Sequence, residues 1–154
     1  MQLYRFALQK FVKNLSGEGA KLYGGRWNSK DNAMLYTASS PSLAMLEFVC
    51  NAGSLARTKQ TALLTLQLTT KVKIETLSVN DLPSDWQNVP SPDALKRLGD
   101  NWLKSGSTLV LKVPSAIIPV EYNYLINPLH KDFSKLIIED VIALDIDNRI
   151  LKLV

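Results

Sequence analysis

What most constrains the fold of this chain is where its apolar runs stop. Thr108 to Val113 (TLVLKV) halts at Pro114, and Tyr122 to Ile126 ends on Asn127-Pro128. Thr61 to Thr70 (TALLTLQLTT) alternates through Leu64, Leu66 and Leu68. Proline has no N–H to give a strand ladder, and period-two alternation is what a half-buried strand requires. These runs read as strands, together with Leu3–Phe6, Met34–Thr37 and a continuation over Val72–Val79. Val141–Asp145 and Arg149–Leu153 read as a closing pair about the Asp147-Asn148 turn. Two stretches have helical spacing instead. The first, Pro41 to Cys50, opens on Ser39-Ser-Pro, a serine cap with proline in the first turn. It sets Leu43, Leu46 and Cys50 on one side, with Ala44 and Phe48 adjoining. The second, Pro92 to Lys104, turns Leu95, Leu98 and Leu103 inward. Short strands mixed with few helices predict one α+β domain over residues 1–154, with a mixed sheet at its core.

Size and composition agree with a single core. The chain has 154 residues, 46% of them hydrophobic and 21% charged, which suits one domain. No apolar run is long enough to span a membrane, and the opening MQLYRFALQKF is too broken by Arg5, Gln9 and Lys10 for a signal peptide. The sole cysteine, Cys50, cannot form an internal disulfide, which fits a cytoplasmic location, and it is expected as a small buried hydrophobe. The net charge of +4 suits an anionic ligand or partner. Lys and Arg are dispersed rather than clustered, which argues against direct nucleic-acid binding. With His130 as the sole histidine, a multi-histidine metal site is excluded. Any catalysis then falls to carboxylate, arginine, tyrosine and hydroxyl groups.

Three places bring such groups together. Gly17–Asn28 (GEGAKLYGGRWN) holds four of the seven glycines, and reads as a structured loop presenting Arg26. A guanidinium fork suits a diphosphate or a carboxylate. The second place is Tyr36 to Glu47 (YTASSPSLAMLE). Glu47 falls beside the apolar stripe of the first helix, where a carboxylate is costly to desolvate unless paired or functional. The third runs from Val113-Pro-Ser115 to Asn123-Tyr-Leu-Ile-Asn-Pro-Leu-His130, where Ser115, Asn123, Asn127 and His130 reach loop edges. Each motif also has a structural reading: a mobile arginine, a solvated helix-edge glutamate, local turn chemistry. The proline-rich loop Pro83–Pro92 holds Trp86. That residue and Trp102 are either core or a docking surface.

Taken in order, GEGAKLYGGRWN, LYTASSPSLAMLEF and VPSAIIPVEYNYLINPLHKDF resemble the RES-domain proteins, toxins of bacterial toxin–antitoxin pairs. The resemblance runs from Tyr4-Arg5 to Ile142; residues 70–104 carry no matching motif. It implies a fold similar to ADP-ribosylating toxins and an enzyme that degrades NAD, with NAD as substrate and no separate cofactor or metal. The family's arginine, tyrosine and glutamate fall on Arg26, Tyr36 and Glu47 as catalytic residues. Arg5, Ser115 and Asn127 are further NAD contacts, with Ser39 and Ser40 competing with Ser115 for the signature serine. The acceptor is open: water makes a glycohydrolase, phosphate a phosphorylase, a macromolecule an ADP-ribosyltransferase. An NAD-binding module without turnover is the remaining alternative. The implied partner is a cognate antitoxin with a DNA-binding region, with room for a toxin homodimer in the complex.

Overall fold

A computed structural model describes residues 1–53, 60–69 and 71–151 of the chain. Seven strands form one sheet: β1 (Gln2–Leu8), β2 (Leu35–Ala38), β3 (Thr61–Leu68), β4 (Ile74–Thr76), β5 (Val110–Pro114), β6 (Tyr122–Ile126) and β7 (Leu136–Ala143). Their spatial order is β4-β5-β6-β2-β1-β3-β7. Only the β4–β5 pair is parallel among these neighbours. Among the described residues five α-helices accompany the sheet: α1 (Gln9–Val12), α2 (Glu18–Tyr23), α3 (Pro41–Ala52), α4 (Asp93–Ser105) and α5 (Asn148–Leu151). The fold is thus α+β with a mixed sheet, as the stopped apolar runs predict.

Alternation decides which face of the sheet each residue meets. Leu3 and Ala7 of β1, Leu64 and Leu66 of β3, Val110 of β5 and Ile126 of β6 share one buried cluster. The intervening residues face the other way into two separate clusters. One gathers Phe6, Ala38, Leu63 and the α3 residues Leu43, Ala44 and Val49. The other gathers Trp27, Trp86, Trp102, Leu111, Val113 and Leu125 beneath α4. Trp86 and Trp102 are therefore core, not a docking surface, and the Trp102 indole N–H donates to the buried Thr108 hydroxyl at 2.9 Å. Gly99 makes the α4 contact feasible, because a Cβ there would collide with the Trp27 carbonyl.

Helix α3 starts as its sequence dictates. Ser40 is extended at φ −141°, and its hydroxyl accepts the Leu43 N–H at 3.2 Å, with Pro41 in the first turn. Its packed side holds Leu43, Ala44 and Phe48 as expected, but continues to Met45, Val49 and Ala52 against the Phe6–Leu63 cluster rather than to Leu46 and Cys50. Cys50 lies across the helix from that stripe and is exposed, contrary to expectation.

Other predicted elements shift. The glycine-rich segment is not all loop, since Glu18–Tyr23 coils into α2. The closing strand begins at Leu136, earlier than expected. No second strand closes it within residues 149–151: Asp147 accepts the Arg149 N–H at 2.8 Å and starts the α5 turn. Asp side chains favour such starts. The rest of that predicted strand, residues 152–153, and the strand end at Thr70 lie outside the described residues. No helix among the described residues is long and apolar enough to cross a membrane.

Candidate active site

The site occupies the sheet face that carries two apolar clusters, at the line between them. Asn123 of β6 is opposite Ala38 on one side and Val113 on the other. Those two neighbours belong to different clusters. Tyr36 and Ser115 share this face, since each is two residues along its strand direction from Ala38 and Val113. Glu47 reaches in from the flank of α3, one turn beyond Leu43 and Ala44. It is half-buried.

One oxygen of Glu47 is fully engaged. Its Oε1 accepts from the Ser115 hydroxyl at 2.9 Å and from the Asn123 side-chain amide at 2.5 Å. Ser115 is itself entirely buried. Its oxygen accepts the N–H groups of Ile117 and Ile118 at 3.1 and 3.2 Å, so its hydroxyl proton is aimed at the carboxylate. The other oxygen, Oε2, meets only the Asn51 amide, at 3.4 Å, among the described residues. The serine competitors are used elsewhere. Ser40 and Ser39 donate to Glu121 at 2.9 and 3.5 Å.

Tyr36 is held through its hydroxyl. It donates to Asn28 Oδ1 at 2.7 Å and accepts the Trp27 N–H at 3.1 Å. Asn28 has no exposed surface, and its amide donates to the carbonyls of Ala20, Ser29 and Asn32. Burial raises the phenol of Tyr36 well above its ordinary value. That hydroxyl is neither an acid nor a base at neutral pH; what it leaves available is the ring. Gly25 is required at this point, because a Cβ would strike the Tyr36 hydroxyl and approach Asn28 Oδ1 to 2.8 Å.

Arg26 extends from the same turn. Its Nη1 donates to the carbonyls of Trp86 and Asn88 at 2.7 and 3.2 Å, pinning the proline-rich loop. Its Nη2 and Nε make no hydrogen bond among the described residues, so one edge of the fork remains to receive an anion. Burial lowers the Arg26 pKa, while Glu47 and then Tyr36 act in the opposite direction. The three groups therefore sense one another across the site.

Other sequence candidates lie apart from this group. Arg5 faces the opposite side of the sheet. Its Nη1 donates to the carbonyls of Phe11, Val12 and Asn14, at 3.4, 3.1 and 2.6 Å, closing the end of α1. Asn127 is buried just beyond β6, where its Oδ1 accepts the Leu129 N–H at 3.0 Å and its amide meets the Leu103 carbonyl at 3.4 Å. His130 Nδ1 accepts the Asp132 N–H in a turn. Asn123, one of the polar groups expected at the loop edges, sits at an inward position of an otherwise apolar strand and holds Glu47. One residue of the constellation, Asn28, was not singled out from sequence and carried no such signal. No group of three or more metal-binding side chains exists among the described residues.

The RES domain profile matches residues 2–147 of the chain. A curated "Toxin Res" of Photorhabdus laumondii subsp. laumondii is 41% identical over 156 residues, covering 99% of this chain and 98% of its own. A "Prs ADP-ribosylating toxin" of Sphingobium sp. is 39% identical over 121 residues, covering 77% and 75%. Among solved structures, a chain of the M. tuberculosis MbcT–MbcA toxin–antitoxin complex superposes with a TM-score of 0.76 at 20% identity, covering 93% of this chain and 83% of that one. The structural likeness establishes the fold; the profile and the sequence relatives establish the lineage. The chain belongs to the RES-domain family.

Proposed function

We propose that this protein is the toxin of a toxin–antitoxin pair and that it cleaves NAD at the bond between nicotinamide and ribose. The observation that carries this reading is the one-sided tethering of Glu47. Ser115 and Asn123 hold Oε1, while Oε2 meets only the Asn51 amide, at 3.4 Å, among the described residues, which leaves most of its accepting capacity for a ligand. A carboxylate fixed in this way is suited to charge that appears only during reaction.

NAD supplies that situation. Its nicotinamide is cationic before cleavage and neutral afterwards, so departure needs no general acid. The C1′–N bond breaks with its electron pair going to the ring nitrogen, and positive charge passes to the ribose. Glu47 Oε2 stabilises that charge directly or through a ribose hydroxyl. The open edge of the Arg26 fork takes the diphosphate, and the Tyr36 ring packs on the planar leaving group. An acceptor then adds to C1′. Water adds its oxygen and releases a proton, giving ADP-ribose; phosphate gives the corresponding phosphate ester.

The relative named as an ADP-ribosylating toxin favours a second reading in which the acceptor is a macromolecule. The same bond breaks in both. A cognate antitoxin with a DNA-binding region is the proposed partner, and the fold neighbour solved within a toxin–antitoxin complex supports it. The net positive charge of this chain suits an acidic contacting segment on that partner.

The test is nicotinamide release from NAD by purified protein, with Glu47→Gln in parallel. Release by wild type alone supports the mechanism. The co-product distinguishes ADP-ribose, its phosphate ester and label carried on protein. Absence of release from folded, NAD-binding wild type with either acceptor leaves only the binding module.

A further inference from the structure

We propose that the cleft behind the Gly24–Gly25 turn is a second ligand site, separate from Glu47, that takes a nucleoside diphosphate. The cleft, open to solvent, offers about 600 Å³ between that turn and the first half of α4. Its charged lining is Lys30, Lys96, Arg97 and Asp93. Asp93 is already paired with Lys96 at 3.1 Å. Neither Lys30 nor Arg97 has an ion-pair partner among the described residues. Two uncompensated cations face one open space, and a diphosphate carries the charge that balances them.

The walls are built rather than incidental. Asp100 accepts from the Ser29 N–H at 3.0 Å and from the Asn32 amide at 2.9 Å, tying the loop to α4. Gly99 lets that helix rest against the Trp27 carbonyl. On the cleft's lip stands Tyr23, whose side chain is among the most exposed apolar surfaces of the molecule at 80%. An exposed aromatic ring beside phosphate-binding cations is the arrangement that holds a base by stacking and its phosphates by charge.

Gly25 and Asn28 form part of this lining. The same two residues abut the Tyr36 hydroxyl. Glu47, Ser115 and Asn123 do not line the cleft. The two sites therefore stand back to back, with one turn of backbone as the common wall.

ADP is the probe, titrated into the full chain and followed by amide chemical shifts and calorimetry. Shifts should concentrate at Tyr23, Lys30, Lys96 and Arg97. The exposed pair Lys30→Glu and Arg97→Glu should weaken ADP by about tenfold or more, with an unchanged unfolding midpoint. Tyr23→Ala should weaken ADP but leave inorganic pyrophosphate unaffected. No binding, shifts centred on Glu47, Ser115 and Asn123, or equal ADP affinity in the charge-reversed variant would overturn the second site. Pyrophosphate binding as tightly as ADP would overturn the nucleotide assignment. None of these readouts involves NAD turnover, so the result stands apart from the fate of the NAD reading.

Discussion

The two faces of the sheet use arginine in opposite ways. On the face of Leu3, Leu64 and Ile126 the packing is one continuous apolar cluster. Its arginine, Arg5, is spent on three carbonyls between six and nine residues away in the chain. On the other face the apolar packing divides in two. Its arginine, Arg26, holds carbonyls about sixty residues away with one nitrogen. The remaining donors of that guanidinium make no hydrogen bond among the described residues, and the proposed mechanism assigns them to the diphosphate. One face spends its polarity on holding itself together. The other accepts an interrupted core so that polar groups can converge at the break.

Substitutions should separate the two faces, and the largest effect belongs to the apolar one. Leu64 has no exposed surface, and Leu64→Ala should cost about 2 to 5 kcal/mol of stability. Chemical unfolding checks that figure, and NAD turnover per folded molecule should remain at the wild-type level. Glu47→Gln should do the reverse. It should slow nicotinamide release by about 3 kcal/mol in activation free energy with an unfolding midpoint near wild type. Equal losses of stability and rate in either variant would break the division.

Gly25→Ala tests the wall on which the divided face depends. The added methyl meets the Tyr36 hydroxyl and Asn28, so overpacking of about 1 to 3 kcal/mol is expected, along with loss of turnover. Arg5→Lys is the smallest change. It should cost about 1 kcal/mol through the weakened carbonyl contacts, leaving KM for NAD unaltered; a raised KM would bring Arg5 back into the site.

Both faces carry a phenol that responds to alkali, since burial also raises that of Tyr124 against the continuous cluster. Burial raises the Tyr36 phenol above its ordinary value. The unfolded chain loses this proton near pH 10 while the folded chain retains it. Stability is therefore whole below pH 10 and falls as pH rises above it. Tyr36→Phe should flatten that decline in a pH series of unfolding midpoints.

Much of this was legible in the sequence where local chemistry and tertiary packing agree. Strand β6 has the bounds that Tyr122 and Asn127-Pro128 suggest, and α3 begins at its serine cap. The misreadings fall where they diverge. In β7, Glu139-Asp140 breaks the apolar pattern at the place where pairing with β3 slips, between Thr65 and Leu66, so the strand's first half looked like loop. In α3, Leu43 is buried with Ala44 and Phe48 beside it as read, but the sheet takes the side that continues to Val49 and Ala52, away from Leu46 and Cys50. At the site, the convergence of Arg26, Tyr36 and Glu47 was suggested by family resemblance. Of their supports, Ser115 came from the same resemblance and Asn123 from the loop-edge reading, but Asn28 did not: it acts through backbone carbonyls, and such contacts leave no pattern in side-chain order.

The donors to Glu47 have a consequence for the order in which the protein is made. Glu47 is synthesised early, and Ser115 and Asn123 arrive some seventy residues later. A nascent chain emerging from the ribosome therefore carries its candidate catalytic carboxylate long before Ser115 and Asn123 can orient it. A truncation after Lys112 should release nicotinamide only at background rate. On the proposed mechanism the site is complete only after Asn123 has been made, which gives the proposed partner protein time to be waiting.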